Sequence, residues 1–482
     1  MEATSGRRVV IEPVTRVEGH GKVTILLDAE GHVERARFHV VEFRGFERFI
    51  QGRPYWEVPV AVQRLCGICP VSHHLAAAKA MDRIVGGEKL TPTAEKMRRL
   101  MHYGQTFQSH ALHFFHLASP DLLFGFGSDV NARHVLGVAA KHPDLARQGI
   151  LMRRYGQEII RVTAGKKVHG TGAIPGGVNK NLTLAERDPL LAELPQMREW
   201  AQATVKLARE YTLAHVDSLG GFGSFPSNHM SLVRADGALD LYDGGLRAVD
   251  AQGRAIFDHV DPQRYLEFIA EEVKPWSYMK FPFVRSLGPE HGWYRVGPLA
   301  RVNACTFIDT PLAEAERRVF TEVAGGRPSP LTMAYHWARM IELLHAIEKI
   351  DALLHDPDLQ GTDLVVRGER RGEAVAIVEA PRGTLFHHYK VDENDQVTMA
   401  NLIVSTTSNN EPMNRAVTSV AKTFLDGQEI TEGLLNHVEV AIRAYDPCLS
   451  CATHALGQMP LDVELRDAEG RLVARRVKDS RG

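Results

Sequence analysis

The chain has 482 residues, 44% hydrophobic and 24% charged, with a net charge of −2, so it can bury a large core and has length for one large domain up to about three. Its balanced charge gives no argument for nucleic acid or an anionic membrane surface. No apolar run nears the roughly 18–20 residues that cross a bilayer, and residues 1–8 lack the apolar segment of a signal peptide, so a cytoplasmic protein is expected.

In chain order, residues 23–27, the turn Asp28-Ala-Glu-Gly31 and residues 32–43 predict a β-hairpin, with Gly31 able to supply the positive φ of the turn. Cys66-Gly-Ile-Cys69 follows and leads into Leu75-Ala-Ala-Ala-Lys-Ala-Met-Asp82, which is helical by propensity and small enough to pack closely. Thr91-Pro92 opens a long helix to about Leu117, with proline at the first helical position, where its missing N–H costs nothing. Further helices are predicted over 191–215, 331–355, 412–425 and 431–445. Asp446-Pro447 ends the last of these, because proline pushes the preceding residue out of the α region, and Cys448 lies just beyond. A second hairpin with the same Asp-Ala-Glu-Gly turn spans 461–477. With no repeat and no linker, the prediction is one α+β unit: a mainly helical central bundle with β-hairpins near the N- and C-termini.

Four of the five cysteines form the pairs Cys66-x-x-Cys69 and Cys448-x-x-Cys451. Each pair can place two sulfurs on one metal, and together they offer a soft set suited to Ni, Fe, Zn or an iron-sulfur cluster. The pairs are too far apart for a zinc ribbon, so the whole fold must assemble the site. Such cysteines fit metal thiolates in a reducing compartment better than a disulfide framework. Cys305 has no motif partner and reads as a buried, inert thiol. Most of the 23 histidines, including His387-His388 and His113/His116, read as core or surface residues. Gly170-Thr-Gly-Ala-Ile-Pro-Gly-Gly177 lacks both the Gly-x-Gly-x-x-Gly spacing and a phosphate-loop lysine, which argues against nucleotide binding.

Arg16-Val-Glu-Gly-His20, Arg44-Gly-Phe-Glu47, Arg64-Leu-Cys-Gly-Ile-Cys-Pro-Val-Ser-His73, Ala380-Pro-Arg-Gly383 and Asp446-Pro-Cys-Leu-Ser-Cys-Ala-Thr-His454 stand in the order seen in [NiFe] hydrogenase large subunits. The chain resembles that family over essentially its whole length. Its wording is most similar to the cytoplasmic NAD-reducing (bidirectional) hydrogenases.

The resemblance implies the [NiFe] hydrogenase large-subunit fold and reversible, heterolytic splitting of H2. Cys66 and Cys448 would be terminal Ni ligands, and Cys69 and Cys451 would bridge Ni to an Fe carrying CO and cyanide. Cys448 and then Glu18 would take the proton, and Arg382 would overhang the open metal face. His73 would hydrogen-bond a bridging sulfur, with Pro381 and Thr406 walling the diatomic ligands. Glu47, His454 and the Leu402 carbonyl would hold Mg2+, a hard ion suited to oxygen ligands. Where some relatives carry an aspartate near the site, this chain has Ser109, which leaves the orientation of Arg382 open.

The same resemblance implies partners: a small iron-sulfur subunit, then flavin-containing diaphorase subunits holding FMN and reducing NAD+, with iron-sulfur clusters, FMN and NAD all on the partners. It also implies metal-insertion proteins and a protease that cuts after His454. Residues 1–454 would then be the catalytic domain and 455–482 an assembly segment removed on maturation. Two alternatives stand: a non-catalytic scaffold like the related complex I subunit, which lacks the Ni-binding cysteines, and a large subunit serving F420 or NADPH.

Overall fold

The computed structural model describes residues 8–453, 461–466 and 471–478. Strands β1 (Arg8–Ile11), β2 (Gly21–Leu27) and β3 (Val33–Val40) form an antiparallel sheet in chain order. Along β2, Val23, Ile25 and Leu27 are buried and the residues between them are not, so the period of two turns one face to the core.

The helices follow. The long ones up to residue 220 are α1 (Pro70–Ile84), α2 (Pro92–Leu112), α3 (Pro143–Ala164) and α4 (Leu184–Gly220). At the start of α2 the Thr91 hydroxyl accepts the Ala94 N–H at 3.2 Å, with Pro92 in the first turn as predicted. The predicted run to Leu117 is α-helical only to Leu112 and continues as a wider π turn over His113–Ala118, just before Pro120, which brings no N–H to the ladder. Helix α4 is longer than the predicted 191–215. It starts at a capping box in which Thr183 and Glu186 bond each other's backbone N–H, and it accommodates Pro189 and Pro195.

The middle of the chain also holds strands that the sequence reading did not anticipate. β4 (Asn228–Val233), β5 (Gly245–Val249), β6 (Ala255–Val260) and β7 (Tyr294–Arg295) form a sheet in the order β7-β4-β5-β6. After α5 (Pro298–Ala304) and α6 (Ala334–Leu354), β8 (Glu373–Ala380), β9 (Gly383–Val391) and β10 (Val397–Ile403) make a second, antiparallel meander. In β8 every residue from Ala374 to Ala380 is buried, so the alternation that marks a half-buried strand is missing. α7 (Asn410–Leu425) and α8 (Glu432–Ala444) lie within two residues of their predicted bounds. β11 (Leu461–Arg466) pairs antiparallel with β12 (Leu472–Lys478), the predicted C-terminal hairpin, whose turn lies outside the described residues.

Two bodies of core matter for function. One is the helical bundle, in which α6 packs against both α2 and α4, with Phe107, Leu194 and Leu343 buried in the same core. The other lies between α1 and the β8–β10 sheet, where Ala76, Ala77 and Ala80 pack with Ala376, Val378 and Leu402 around all four motif cysteines. The small side chains of α1 bring its backbone close to the sheet and leave the cysteines at the helix's N-terminal end.

Candidate metal centre

Each cysteine is placed by local backbone chemistry. A 3-10 turn, Val62–Leu65, ends in extended Cys66, and Cys69 is the N-cap of α1, with Pro70 in the first turn. The Cys66 sulfur accepts the N–H groups of Ile68 and Cys69, each at 3.2 Å, and the helix N-terminus adds a favourable field for negative sulfur. At the other pair, Asp446 adopts φ 54°, and the chain then runs alongside the Arg16–His20 motif. The Leu449 N–H donates to the Glu18 carbonyl at 2.9 Å. Gly19 permits this approach: at φ 81°, a Cβ there would lie 2.7 Å from the Ser450 nitrogen.

All four cysteines are buried, none is in a disulfide, and their sulfurs lie within 4.8 Å of one another. That spread is about twice a metal–thiolate bond of roughly 2.3 Å, so every sulfur can reach a centre placed among them. The Cys448 thiol donates to Cys66 Sγ at 3.2 Å. Burial raises the Cys66 thiol, but hydrogen bonds from Cys448, Cys451 and Cys69 and the Arg382 charge outweigh it and draw Cys66 well below an ordinary thiol. Burial pushes Cys448 and Cys451 upward; neighbouring sulfurs add to the rise at Cys448, while at Cys451 those of Cys66 and Cys69 add to it and Cys448 opposes it. Four sulfurs sharing so little compensating charge form a site suited to soft cations.

Arg382 and Pro381 form the tight turn between β8 and β9, since Ala380 pairs directly with Gly383. Both are buried. Arg382 Nη2 donates to Asp446 Oδ1 at 3.0 Å, while its Nε and Nη1 have no hydrogen-bond partner among the described residues. Burial opposes its charge, but Asp446 and the neighbouring sulfurs of Cys69, Cys448 and Cys66 outweigh it and hold the guanidinium protonated. Asp446, read from sequence only as a helix terminator, therefore supplies a carboxylate that orients Arg382. Ser109, fully buried on α2, has a hydroxyl with no hydrogen-bond partner among the described residues.

The other expected residues gather around the same sulfurs. Glu18 accepts the Ser450 N–H at 3.2 Å and the Ser450 hydroxyl, a partner the sequence reading missed despite its place inside the Cys-x-x-Cys motif. Burial and the Cys66 charge raise the Glu18 pKa, against hydrogen bonds from Ser450 and Cys448. The Thr406 hydroxyl accepts the Cys448 N–H at 2.8 Å. His73 is fully buried, its pKa lowered to about 4 by burial, with Nδ1 3.2 Å from His387 Nε2 and Nε2 without a partner among the described residues. His387 is thus a core histidine as expected, placed between His73 and Tyr389. Unpartnered nitrogens on Arg382 and His73 around four sulfurs, among the described residues, fit a bound centre that brings its own hydrogen-bonding groups.

A second group lies across the β8–β10 sheet. Glu47, on the short helical turn Phe46–Phe49, accepts the Leu402 N–H at 2.9 Å, bringing together two of the three expected ligands. Burial raises the Glu47 pKa, with Lys280 Nζ 3.9 Å away opposing the rise. His454 lies outside the described residues. Its neighbour Thr453 is tied to the same region: the Arg44 N–H donates to the Thr453 carbonyl at 3.1 Å, and the Thr453 hydroxyl donates to the Glu42 carbonyl at 2.7 Å.

A family profile described as Nickel-dependent hydrogenase matches residues 44–124 and 250–454, and one described as HoxL-like matches residues 8–43. The chain is 49% identical over 489 residues to the NAD-reducing hydrogenase HoxS subunit beta of Cupriavidus necator, covering 98% of this chain and 100% of that one. It is 44% identical over 477 residues to a chain of the F420-non-reducing hydrogenase of Methanothermobacter thermautotrophicus, covering 97% and 99% of the two chains. Among solved structures, an NAD+-reducing [NiFe]-hydrogenase in the H2-reduced state superposes with a TM-score of 0.92 at 59% identity, over 93% of this chain and 99% of that one. With four buried cysteine sulfurs converged and similarity that runs nearly end to end, the chain belongs to the large-subunit family of nickel-dependent hydrogenases.

Proposed function

We propose that this chain is the H2-splitting subunit of a cytoplasmic NAD-reducing [NiFe] hydrogenase. The observation that carries the reading is the meeting of four buried cysteine sulfurs within 4.8 Å, beside a guanidinium with two unpartnered nitrogens. In this reading Cys66 and Cys448 would hold Ni, and Cys69 and Cys451 would be shared between Ni and an Fe that would carry CO and cyanide. When bound, the centre supplies an electron-rich, redox-active Lewis acid at which H2 is acidified enough to split heterolytically.

The chain's own groups then handle the proton. Cys448 Sγ receives it and Glu18 takes it onward; the raised pKa of Glu18 brings this carboxyl nearer to that of a working acid–base group. The Asp446 carboxylate fixes Arg382, leaving Nε and Nη1 to orient H2 and to donate to cyanide. His73 Nε2 would donate to a sulfur of the bound centre, which fits a neutral imidazole whose other nitrogen faces His387. Pro381 and Thr406 wall the diatomic ligands, and Thr406 also holds the Cys448 backbone. Glu47, the Leu402 carbonyl and His454 hold Mg2+.

Electrons leave through partners. The sequence has one cysteine outside the motifs, Cys305, and burial pushes its thiol up to about 12, so this chain supplies no relay cluster. A small iron-sulfur subunit takes the electrons and passes them to flavin diaphorase subunits that reduce NAD+. Phe49, Trp56 and Val60 are exposed along the segment that leads into Cys66, an apolar surface suited to the small subunit. Metal-insertion proteins load the site, and cleavage after His454 removes residues 455–482. The test is H2-dependent NAD+ reduction by the copurified complex. Reduction that disappears in Cys66→Ser and Cys448→Ser is expected; a nickel-loaded complex that reduces only another acceptor would refute the NAD assignment.

A further inference from the structure

Arg301, on α5, is a fully buried cation that uses all five of its N–H groups. Nε donates to Glu342 at 2.5 Å and Nη2 to the same carboxylate at 2.7 Å. Nη1 donates to Glu379 at 2.7 Å. The remaining two N–H groups reach backbone: Nη1 to the Ala380 carbonyl at 2.9 Å and Nη2 to the Pro381 carbonyl at 3.2 Å. Those two carbonyls immediately precede Arg382. Glu379 ties the turn down further, since Oε1 accepts both the Leu232 N–H and the Thr384 hydroxyl, each at 2.8 Å.

A buried ion cluster of this kind is a poor stabiliser, because apolar residues of similar volume often serve as well. What it gives is geometry. The partner corner is held in the same way from α6, the helix that also carries Glu342: Arg339 Nη2 donates to the carbonyl of Ala444, the last residue of α8, at 3.0 Å. His113 Nε2 lies 2.7 Å from the Arg443 carbonyl beside it. The two clamped corners meet in the Arg382–Asp446 pair. Among the described residues the Arg382 side chain has that one hydrogen bond, so its reach into the site depends on where its backbone is held.

We infer that Arg301 is a positioning residue for the H2 reaction, acting on Arg382 through the carbonyls of Ala380 and Pro381. The inference rests on the proposed hydrogenase function. Lysine keeps the charge but cannot span two carboxylates and two carbonyls. In the whole complex, Arg301→Lys should therefore lower kcat by about ten- to a hundredfold, the scale of an ångström-sized misplacement, with the KM for H2 and for NAD+ unchanged and nickel content full. Its CO and cyanide stretching bands should shift in the same direction as those of Arg382→Lys. Added to Arg382→Lys, it should cost little further turnover. Bands at wild-type positions in Arg301→Lys, or a fully additive loss in the double variant, would overturn the inference. Should Arg301→Lys not fold, Thr384→Val removes one tie on Glu379 and should give a smaller loss with the same band shift; unshifted bands there would overturn it equally. A wild-type complex without nickel or diatomic bands would instead refute the proposed function and take this inference with it.

Discussion

Gly19→Ala should loosen the metal centre without touching a ligand. The new Cβ would lie 2.7 Å from the Ser450 nitrogen and 2.9 Å from Leu449 Cβ, groups of the cysteine loop that cannot swing aside. Overpacking of this kind costs about 1–3 kcal/mol. At φ 81° an alanine also carries a left-handed penalty of about 1–2 kcal/mol, for a total of about 2–5 kcal/mol. Gly31→Ala is the matched control, with φ 89° and nothing within 4 Å of its Cβ, so it carries the backbone penalty alone. The clash also pushes the cysteine loop off the Glu18 carbonyl, which now accepts the Leu449 N–H at 2.9 Å. Denaturant unfolding of both variants, with nickel release to a chelator, checks this. A Gly19→Ala protein as stable as Gly31→Ala, and holding nickel as long as wild type, would refute the reasoning.

Three further outcomes are expected. Burial raises the Glu342 carboxyl, but the charge and hydrogen bonds of Arg301 and the bond from His110 outweigh it and hold the pKa at about 2, below its ordinary 4.5. The stability this adds is complete above pH 4.5 and is lost as pH falls toward 2. Glu342→Gln should thus be less stable at neutral pH by about 3–5 kcal/mol, with a shallower acid slope in a pH series of unfolding curves. Thr406→Val leaves the buried Cys448 N–H without its acceptor, which should cost about 1–3 kcal/mol in unfolding experiments and speed nickel release. Cys305, its thiol pushed up to about 12 by burial, should resist alkylation in the native protein, and Cys305→Ala should keep full nickel content and turnover.

What the sequence made legible was local or motif-borne. Gly31, Pro92 and Pro447 each act on the backbone within a residue or two, and the hairpin, α2 and the end of α8 stand where they predict. The start of α4 was also written locally, in Thr183-x-x-Glu186, but Pro189 and Pro195 obscured it. β8 and β9 were illegible for a different reason: strands buried on both faces lose their alternation, and His387-His388 breaks the apolar run of β9. At the site, the cysteines, Glu18, Arg382 and Glu47 came from motifs. Arg301 did not, because its bond to Ala380 joins residues far apart in sequence and carries no spacing signal; Thr406 was expected as a wall of the diatomic ligands, and the bond it accepts from the Cys448 N–H was not foreseen.

Metal analysis with infrared spectroscopy on the copurified complex bears most directly on the centre among Cys66, Cys69, Cys448 and Cys451. Nickel and iron in equal amounts at that site, with CO and cyanide stretching bands, are expected. Zinc alone, with no diatomic bands in a processed chain, would contradict the hydrogenase reading and return the four cysteines to a structural role.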